Sequence, residues 1–248
     1  MSVQDLDLSV IIPCYNEEDI LVKNVGKISE VLDKSTLRYE IILVDDCSKD
    51  RTVELAKEIV KNDSKIKMIC HKVNMGRGKA VEDGIAKSRG RVAGFLDIDL
   101  QVPAHYIIPL FIELENGADV ATALRVYDIR LHMLHRFILS KGYNTLFNLM
   151  LRTPIKDSET GYKFFKRDKV LSVIPEIKDK HWFWDTEVMV RSFLKGLVIK
   201  EVPCLCIREE EQKSTVKVFK DVLDYFRNIW RFKKEVDCIR EAKRVSDS

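Results

Sequence analysis

No apolar run in this 248-residue chain approaches the ~20 residues that cross a bilayer. The longest, Leu8 to Ile12 and Ile41 to Val44, are far shorter, and no membrane-spanning helix is expected. Glycine and proline are scarce, 10 and 6 residues, which excludes collagen-like and low-complexity chains. An apolar content of 46% beside 33% charge excludes a largely disordered one. The six cysteines (Cys14, Cys47, Cys70, Cys204, Cys206, Cys238) include no C-x-x-C pair, so neither a zinc ribbon nor a disulfide framework is indicated, and buried free thiols are expected. A secretory signal is missing as well: Met1 to Leu8 alternates acidic and apolar residues, which points to a cytoplasmic protein. The net charge of +3 is too small for a nucleic-acid-binding surface, and no nucleic-acid partner is expected. It is also uneven, because Lys213 to Arg244 holds ten basic and five acidic residues.

What the chain does contain is an alternation of apolar runs and helical periodicities. Leu8 to Ile12 and Glu40 to Val44 read as buried strands, with Leu21, Val25, Ile28 and Leu32 between them on one helix face. The pattern repeats: helix Thr52 to Lys61, strand Ile66 to Cys70, helix Lys79 to Ser88, strand Arg91 to Leu96. Strands apolar on both faces and separated by helices predict an α/β fold with a mostly parallel sheet flanked by helices. Further on, strands are expected at Ala118 to Leu124, Tyr162 to Lys166 and Leu197 to Val202, and helices from about Leu134 to Leu151 and Thr186 to Lys195. Residues 1–212 are expected to form one domain and residues 213–248 a basic, amphipathic helical tail.

Ligands of such sheets bind beyond the carboxyl ends of the strands. There the sequence places Tyr15, Glu17, Asp45, Asp46, Asp97, Asp99 and Gln101, and carboxylates gathered on one rim repel unless a cation or ligand donors offset them. On an extended segment, alternation would put Asp97, Asp99 and Gln101 on one side, an oxygen cluster suited to Mg²⁺ or Mn²⁺ beside a phosphate. Asn74 to Lys79 carries glycines before a helix, but it lacks P-loop spacing, and Pro13 to Asn16 after the first strand is not a dinucleotide fingerprint.

Taken together, Pro13-Cys-Tyr-Asn-Glu17, Val44-Asp-Asp-Cys-Ser-Lys-Asp-Arg-Thr52, Asn74 to Ala80 and Asp97-Ile-Asp99 resemble the nucleotide-sugar domain of inverting glycosyltransferase family 2, of GT-A fold, over roughly Leu8 to Val102. The remainder is similar to the dolichyl-phosphate mannose and glucose synthases of that family, through Leu124 to Tyr127, Asp157 to Lys163, Trp184 to Glu187, Glu201 to Pro203 and Lys213 to Val216. The resemblance implies a nucleotide-sugar donor held by Pro13, Tyr15, Glu17, Asp45, Asp46, Gly76, Lys79 and Asp97. It implies Mg²⁺ or Mn²⁺ at Asp97, Asp99 and Gln101, and a polyprenyl phosphate acceptor met by Arg125 and Arg136, with Arg208 and Lys213 near.

A lipid phosphate is already anionic near neutral pH, with a second pKa of ~6, and needs cations to hold it. A saccharide hydroxyl would instead need a carboxylate base, for which Asp185 is the candidate. Trp182 and Trp184 read equally well as a sugar-facing wall or as core. The tail rows Val218, Val222, Tyr225, Ile229 and Phe219, Leu223, Phe226, Trp230, with basic flanks, suit a membrane surface or a docked partner such as a membrane-anchoring subunit. The expectation is a peripheral enzyme on the cytosolic face of a membrane. It moves hexose from UDP-glucose, with GDP-mannose open, to polyprenyl phosphate. Transfer to a saccharide hydroxyl and a non-catalytic nucleotide-sugar sensor or scaffold are the alternatives.

Overall fold

The computed structural model describes residues 6–127, 150–207 and 218–246, the last with side chains from residue 227. The chain divides into two compact units, Met1–Asp128 with Asp157–Ile207, and Ile129–Lys156 with Arg208–Ser248.

The first unit holds a seven-stranded sheet. Its strands are β1 (Leu6–Cys14), β2 (Tyr39–Asp45), β3 (Ile66–Cys70), β4 (Gly90–Leu96), β5 (Val120–Tyr127), β6 (Tyr162–Lys166) and β7 (Ile199–Cys206), in the order β3-β2-β1-β4-β6-β5-β7. β1 to β4 are mutually parallel and β5 pairs in parallel with β7, while β6 runs antiparallel to both β4 and β5. The expectation of a mostly parallel sheet flanked by helices holds, with β6 as the reversed strand.

The helices are α1 (Leu21–Asp33), α2 (Thr52–Asn62), α3 (Arg77–Lys87), α4 (Ile107–Glu115), α5 (Arg167–Val173) and α6 (Trp184–Leu194). α1 buries Leu21, Val25, Ile28 and Leu32, the face its periodicity predicts, against Leu8, Val10 and Ile12 of β1. Each such side chain contributes roughly 1.5–3 kcal/mol on burial, so Ile28→Ala would cost about 2–5 kcal/mol. α4 joins the same layer through Ile107, Leu110, Phe111 and Leu114. α3 and α6 cover the opposite face, where Phe95 meets the Trp184 ring edge-on at 5.6 Å. Register sets the rim: Cys14 pairs with Asp45 and Asp45 with Cys70, so the ends of β1, β2 and β3 are level. Of the six free thiols, Cys14, Cys204 and Cys206 are buried, Cys47 is half-buried, and Cys70 and Cys238 are exposed.

In the second unit α7 (Val218–Ser246) buries Ile229, Phe232 and Val236 at helical spacing, while Trp230 is exposed. Of the two tail rows, side chains are described only at Ile229, which is buried, and Trp230, which is exposed; the other members lie outside the described side chains. The Arg240 guanidinium donates to the carbonyls of Leu151 at 2.7 Å and Arg152 at 2.9 Å.

Candidate active site

Two strand-end loops are stitched together first. Asn16 N–H donates to the Ser48 hydroxyl (2.9 Å), Glu17 N–H to Thr52 Oγ1 (2.7 Å) and Lys49 N–H to Asn16 Oδ1 (2.8 Å). Asn16 itself takes a left-handed φ of 57°, which its short polar side chain tolerates. This fixes Tyr15, 43% exposed, and Glu17 on the rim beyond β1, while Pro13 stays buried within the strand.

The two aspartates after β2 have different duties. Asp46 is buried and accepts the N–H groups of Met75 and Gly76, each at 2.8 Å, so it sits at the N-terminus of α3, where the helix dipole favours an anion. Its Oδ1 also meets His71 Nδ1 at 2.8 Å, and His71 Nε2 reaches Asp83 at 3.1 Å. Asp46 thus organises the 74–76 loop. Asp45 accepts Ser48 N–H through Oδ2, and its buried Oδ1 has no partner among the described residues. A buried carboxylate oxygen left open in this way is a ready acceptor for a ligand N–H or O–H.

The D-x-D segment differs from expectation in geometry. β4 ends at Leu96, and Asp97 to Leu100 form a turn, with Leu100 N–H donating to Asp97 carbonyl (3.2 Å) and Leu100 at φ 50°. The acidic side chains are gathered by this turn, not by strand alternation. Ile98 is buried beneath it, and its carbonyl accepts Asn24 Nδ2 from α1 at 2.9 Å. Gln101 donates to Asp99 through its backbone (3.2 Å) and its side-chain amide (2.8 Å). Gly161 lies against Asp97, and a Cβ there would overlap Asp97 Oδ2. Burial, then repulsion from Asp99 and Asp97, pushes the Glu17 carboxyl up to about 7. Asp97 is also raised by burial and by Asp99, against the pull of Arg77.

A chain of buried charges runs behind this rim. Arg77 donates Nε (2.8 Å) and Nη2 (2.6 Å) to Asp97 Oδ1, and Nη1 (2.6 Å) to Asp185 Oδ2. Lys163, wholly buried, donates to Asp185 Oδ1 at 3.1 Å. Both oxygens of Asp185, itself 2% exposed, are therefore taken by cations. Burial opposes the charge on Arg77, but Asp185 and Asp97 outweigh it. The aromatic question is resolved residue by residue: Trp184 is core, its Nε1 donating to Glu82 at 3.2 Å, while Trp182 is 62% exposed and lies 5.3 Å from the Arg77 guanidinium.

Beyond β5, Arg125 forms a two-pronged pair with Asp157, Nε to Oδ2 at 2.7 Å and Nη2 to Oδ1 at 2.8 Å. A guanidinium has five N–H donors, so three are without a partner among the described residues, and the side chain is 24% exposed. Glu159 stands in the field of Arg125, Asp157, Asp185 and Lys163; burial first, then those acidic neighbours, pushes it up to about 7 despite the two cations.

Of the residues expected at the site, Glu17, Asp97, Asp99, Gln101 and Asp185 are brought into one acidic neighbourhood, and Glu159 links Arg125 to Asp185. Gly76 caps α3 at φ 97°, and a Cβ on it would strike the Lys180 carbonyl. Lys79 pairs instead with Asp83 (2.7 Å) and Glu82 (3.7 Å) of its own helix. Arg136, Arg208 and Lys213 lie outside the described residues. Sequence reasoning gave no role to Arg77, Lys163, Glu159 or Asn24. The signals available were the place of Arg77 between two glycines at the start of α3, and that of Glu159 and Lys163 inside the Asp157 to Lys163 stretch; Asn24 had none.

The donor set at Asp97, Asp99 and Gln101 is all oxygen, as hard divalent cations require. Among the described residues no three acidic, His or Cys side chains surround a common point. These side chains therefore make no complete cation site by themselves; Mg²⁺ or Mn²⁺ is commonly held by one or two carboxylates together with substrate phosphates, and Asp97 and Asp99 would supply that share.

The chain is 30% identical over 218 residues to the glycosyltransferase AglD of Haloferax volcanii, covering 86% of this chain and about a third, 34%, of that protein. It is 28% identical over 263 residues to the dolichyl-phosphate beta-glucosyltransferase of Saccharomyces cerevisiae, covering 94% of this chain and 79% of that one. Its fold is similar to that of glucosyl-3-phosphoglycerate synthase from Mycobacterium tuberculosis, solved with Mn²⁺, UDP and phosphoglyceric acid, with a TM-score of 0.65 at 17% identity over 96% of this chain and 78% of that one. That likeness, with the strand order above, makes the fold GT-A. The model of glycosyl transferase family 2 matches residues 9–173, two-thirds of the chain and every strand-end motif named so far up to β6, and the chain belongs to that family.

Proposed function

We propose that the chain transfers a hexosyl group from a nucleoside diphosphate sugar to a polyprenyl phosphate of dolichyl type, inverting the anomeric carbon to give a β-linked lipid-phosphate sugar. The observation that carries this reading is Asp185: Oδ1 is turned onto Lys163 and Oδ2 onto Arg77, so its carboxylate serves two cations and is poorly placed to take a hydroxyl proton. A phosphate acceptor needs no such base, because one of its oxygens is already charged.

The donor's nucleoside occupies the rim of Tyr15, Glu17 and Asp45, with the open Asp45 Oδ1 as acceptor for its polar hydrogens. Asp97, Asp99 and Gln101 would hold Mg²⁺ or Mn²⁺, which would supply Lewis-acid stabilisation of the charge that develops on the departing diphosphate. Arg125, with three N–H donors unpartnered among the described residues, grips the acceptor phosphate and aims an oxygen at the anomeric carbon, assisted by Arg136, Arg208 and Lys213. As that oxygen bonds to the carbon, the carbon's bond to the diphosphate oxygen breaks, and the nucleoside diphosphate leaves with the electron pair. UDP-glucose is the favoured donor, with GDP-mannose open; the likeness to the yeast glucosyltransferase supports the former. Among the described residues no helix is long and apolar enough to cross a membrane. We place access to a lipid acceptor in peripheral binding at the cytosolic face, through the basic tail or a membrane-anchoring subunit.

A second reading, transfer to a saccharide hydroxyl, draws on Glu159, whose carboxyl sits near 7 beside Arg125. A screen separates the two: radiolabelled UDP-glucose or GDP-mannose with Mn²⁺, a short polyprenyl phosphate and a mixture of free saccharides, scored as solvent-extractable label against label in the aqueous saccharide fraction. The proposal expects labelled lipid that persists in Glu159→Gln. Labelled saccharide with no labelled lipid would overturn it.

A further inference from the structure

Arg77 has no part in the reaction just described, yet it is the most heavily engaged cation of the site. Its guanidinium lies 5.3 Å from the rings of both Phe95 and Trp182, and it spends two N–H donors on a single oxygen, Asp97 Oδ1. The other oxygen, Oδ2, lies against Gly161, which has no side chain of its own to crowd it, with Arg77 Nη2 beside the same glycine. Asp97 side-chain exposure is 38%, so the carboxylate remains open to the rim while held from behind.

We propose that Arg77 is a built-in counter-ion of the metal-binding carboxylate: it competes with the divalent cation for Asp97, so that the cation alone binds weakly and binds firmly only when the donor's diphosphate adds its own oxygens. This rests on the reading of Asp97 as a cation ligand. Without Arg77, Asp97 would stand in the field of Asp99, Asp185 and Glu17 with Lys163 as the nearest buried cation, and that unopposed negative charge would draw a divalent ion to Asp97 and Asp99 more strongly. With Arg77 in place, occupancy by the cation is tied to occupancy by the donor. Arg77 is in this sense a positioning residue, acting on the site through Asp97 and Asp185.

The test is Mn²⁺ binding to the full chain, read from the electron paramagnetic resonance signal of free Mn²⁺, with and without UDP. Removing a unit charge this close to the site changes cation affinity by about tenfold or more. Arg77→Gln is therefore expected to bind Mn²⁺ alone about tenfold more tightly than wild type and to lose most of the gain that UDP gives wild type. Arg77→Lys keeps the charge but not the fork, and is expected to stay within about threefold of wild type. Should Arg77→Gln fail to fold, Arg77→Gln/Asp185→Asn/Lys163→Met removes both cations and the anion they share, leaving no buried charge stranded, and is expected to bind Mn²⁺ more tightly through the freed Asp97 Oδ1. Folded variants that bind Mn²⁺ no better than wild type would overturn the inference. Wild type that binds no Mn²⁺ even with UDP would instead overturn the metal reading beneath it.

Discussion

Replacing Asp185 by Asn tests whether that residue is a base or the centre of a charge chain. The carboxylate is buried and bridges two buried cations, Arg77 at 2.6 Å and Lys163 at 3.1 Å. Breaking a buried pair from one side typically costs 3–5 kcal/mol, because the partner's charge is left uncompensated, so Asp185→Asn is expected to lose about 3–5 kcal/mol. For a unit of this size that lowers Tm by roughly 6–20 °C. Lys163→Met should cost less in the wild-type background, since Asp185 keeps Arg77. In the Asp185→Asn background it should stabilise, by about 1–3 kcal/mol, because it removes the lysine left without its anion. Urea unfolding of the four proteins, followed by circular dichroism, closes the cycle. If Asp185→Asn keeps wild-type stability yet loses all transfer, the charge-chain account is wrong and Asp185 is a base.

Other expectations follow from single contacts. The folded-state value of about 7 for Glu159, against an ordinary 4.5, makes ionisation a cost borne only by the folded chain. The penalty is absent below about pH 4.5, grows as pH rises towards 7 and is flat above; Glu159→Gln should therefore raise stability by about 3 kcal/mol at pH 8 and by about 1 kcal/mol at pH 5, seen in thermal melts at the two pH values. An equal gain at both would contradict the assignment. Asn24→Ala strands the Ile98 carbonyl under the D-x-D turn and should cost about 1–3 kcal/mol. It should also raise the KM for the donor; a KM left unchanged would mean that the turn does not depend on α1.

Much of the first half was legible because β1, β2 and β4 are buried along almost their whole length, and such strands are unbroken apolar runs bounded by helix periodicity. The observed β3 has the bounds its apolar run predicts, Ile66–Cys70. α4 was not legible: Ile107 to Ile112 is apolar all round and contains Pro109, which a helix accepts in its first turn, so no 3.6-residue stripe appears. The reversal of β6 leaves no mark in a five-residue strand buried on both faces. At the site, residue types foretold an acidic rim but not its wiring. Adjacent aspartates Asp45 and Asp46 look equivalent in sequence, yet one keeps an open oxygen and the other is consumed by the α3 N-terminus. Likewise Trp182 and Trp184 differ only in which way each side chain leaves the start of α6, and that decides which is exposed.

The central claim is that the acceptor arrives already ionised and is held by Arg125 instead of being deprotonated in place. Parallel reactions with polyprenyl phosphate and with the matching polyprenol, UDP-glucose and Mn²⁺ being common to both, test it most directly, with the product's anomeric configuration read by NMR. The account predicts a β-linked lipid product from the phosphate alone, falling at least about a hundredfold in Arg125→Ala, on the scale of a lost charge-assisted contact to the reacting group. Transfer to the polyprenol at a comparable rate, or an undiminished rate in Arg125→Ala, would contradict it.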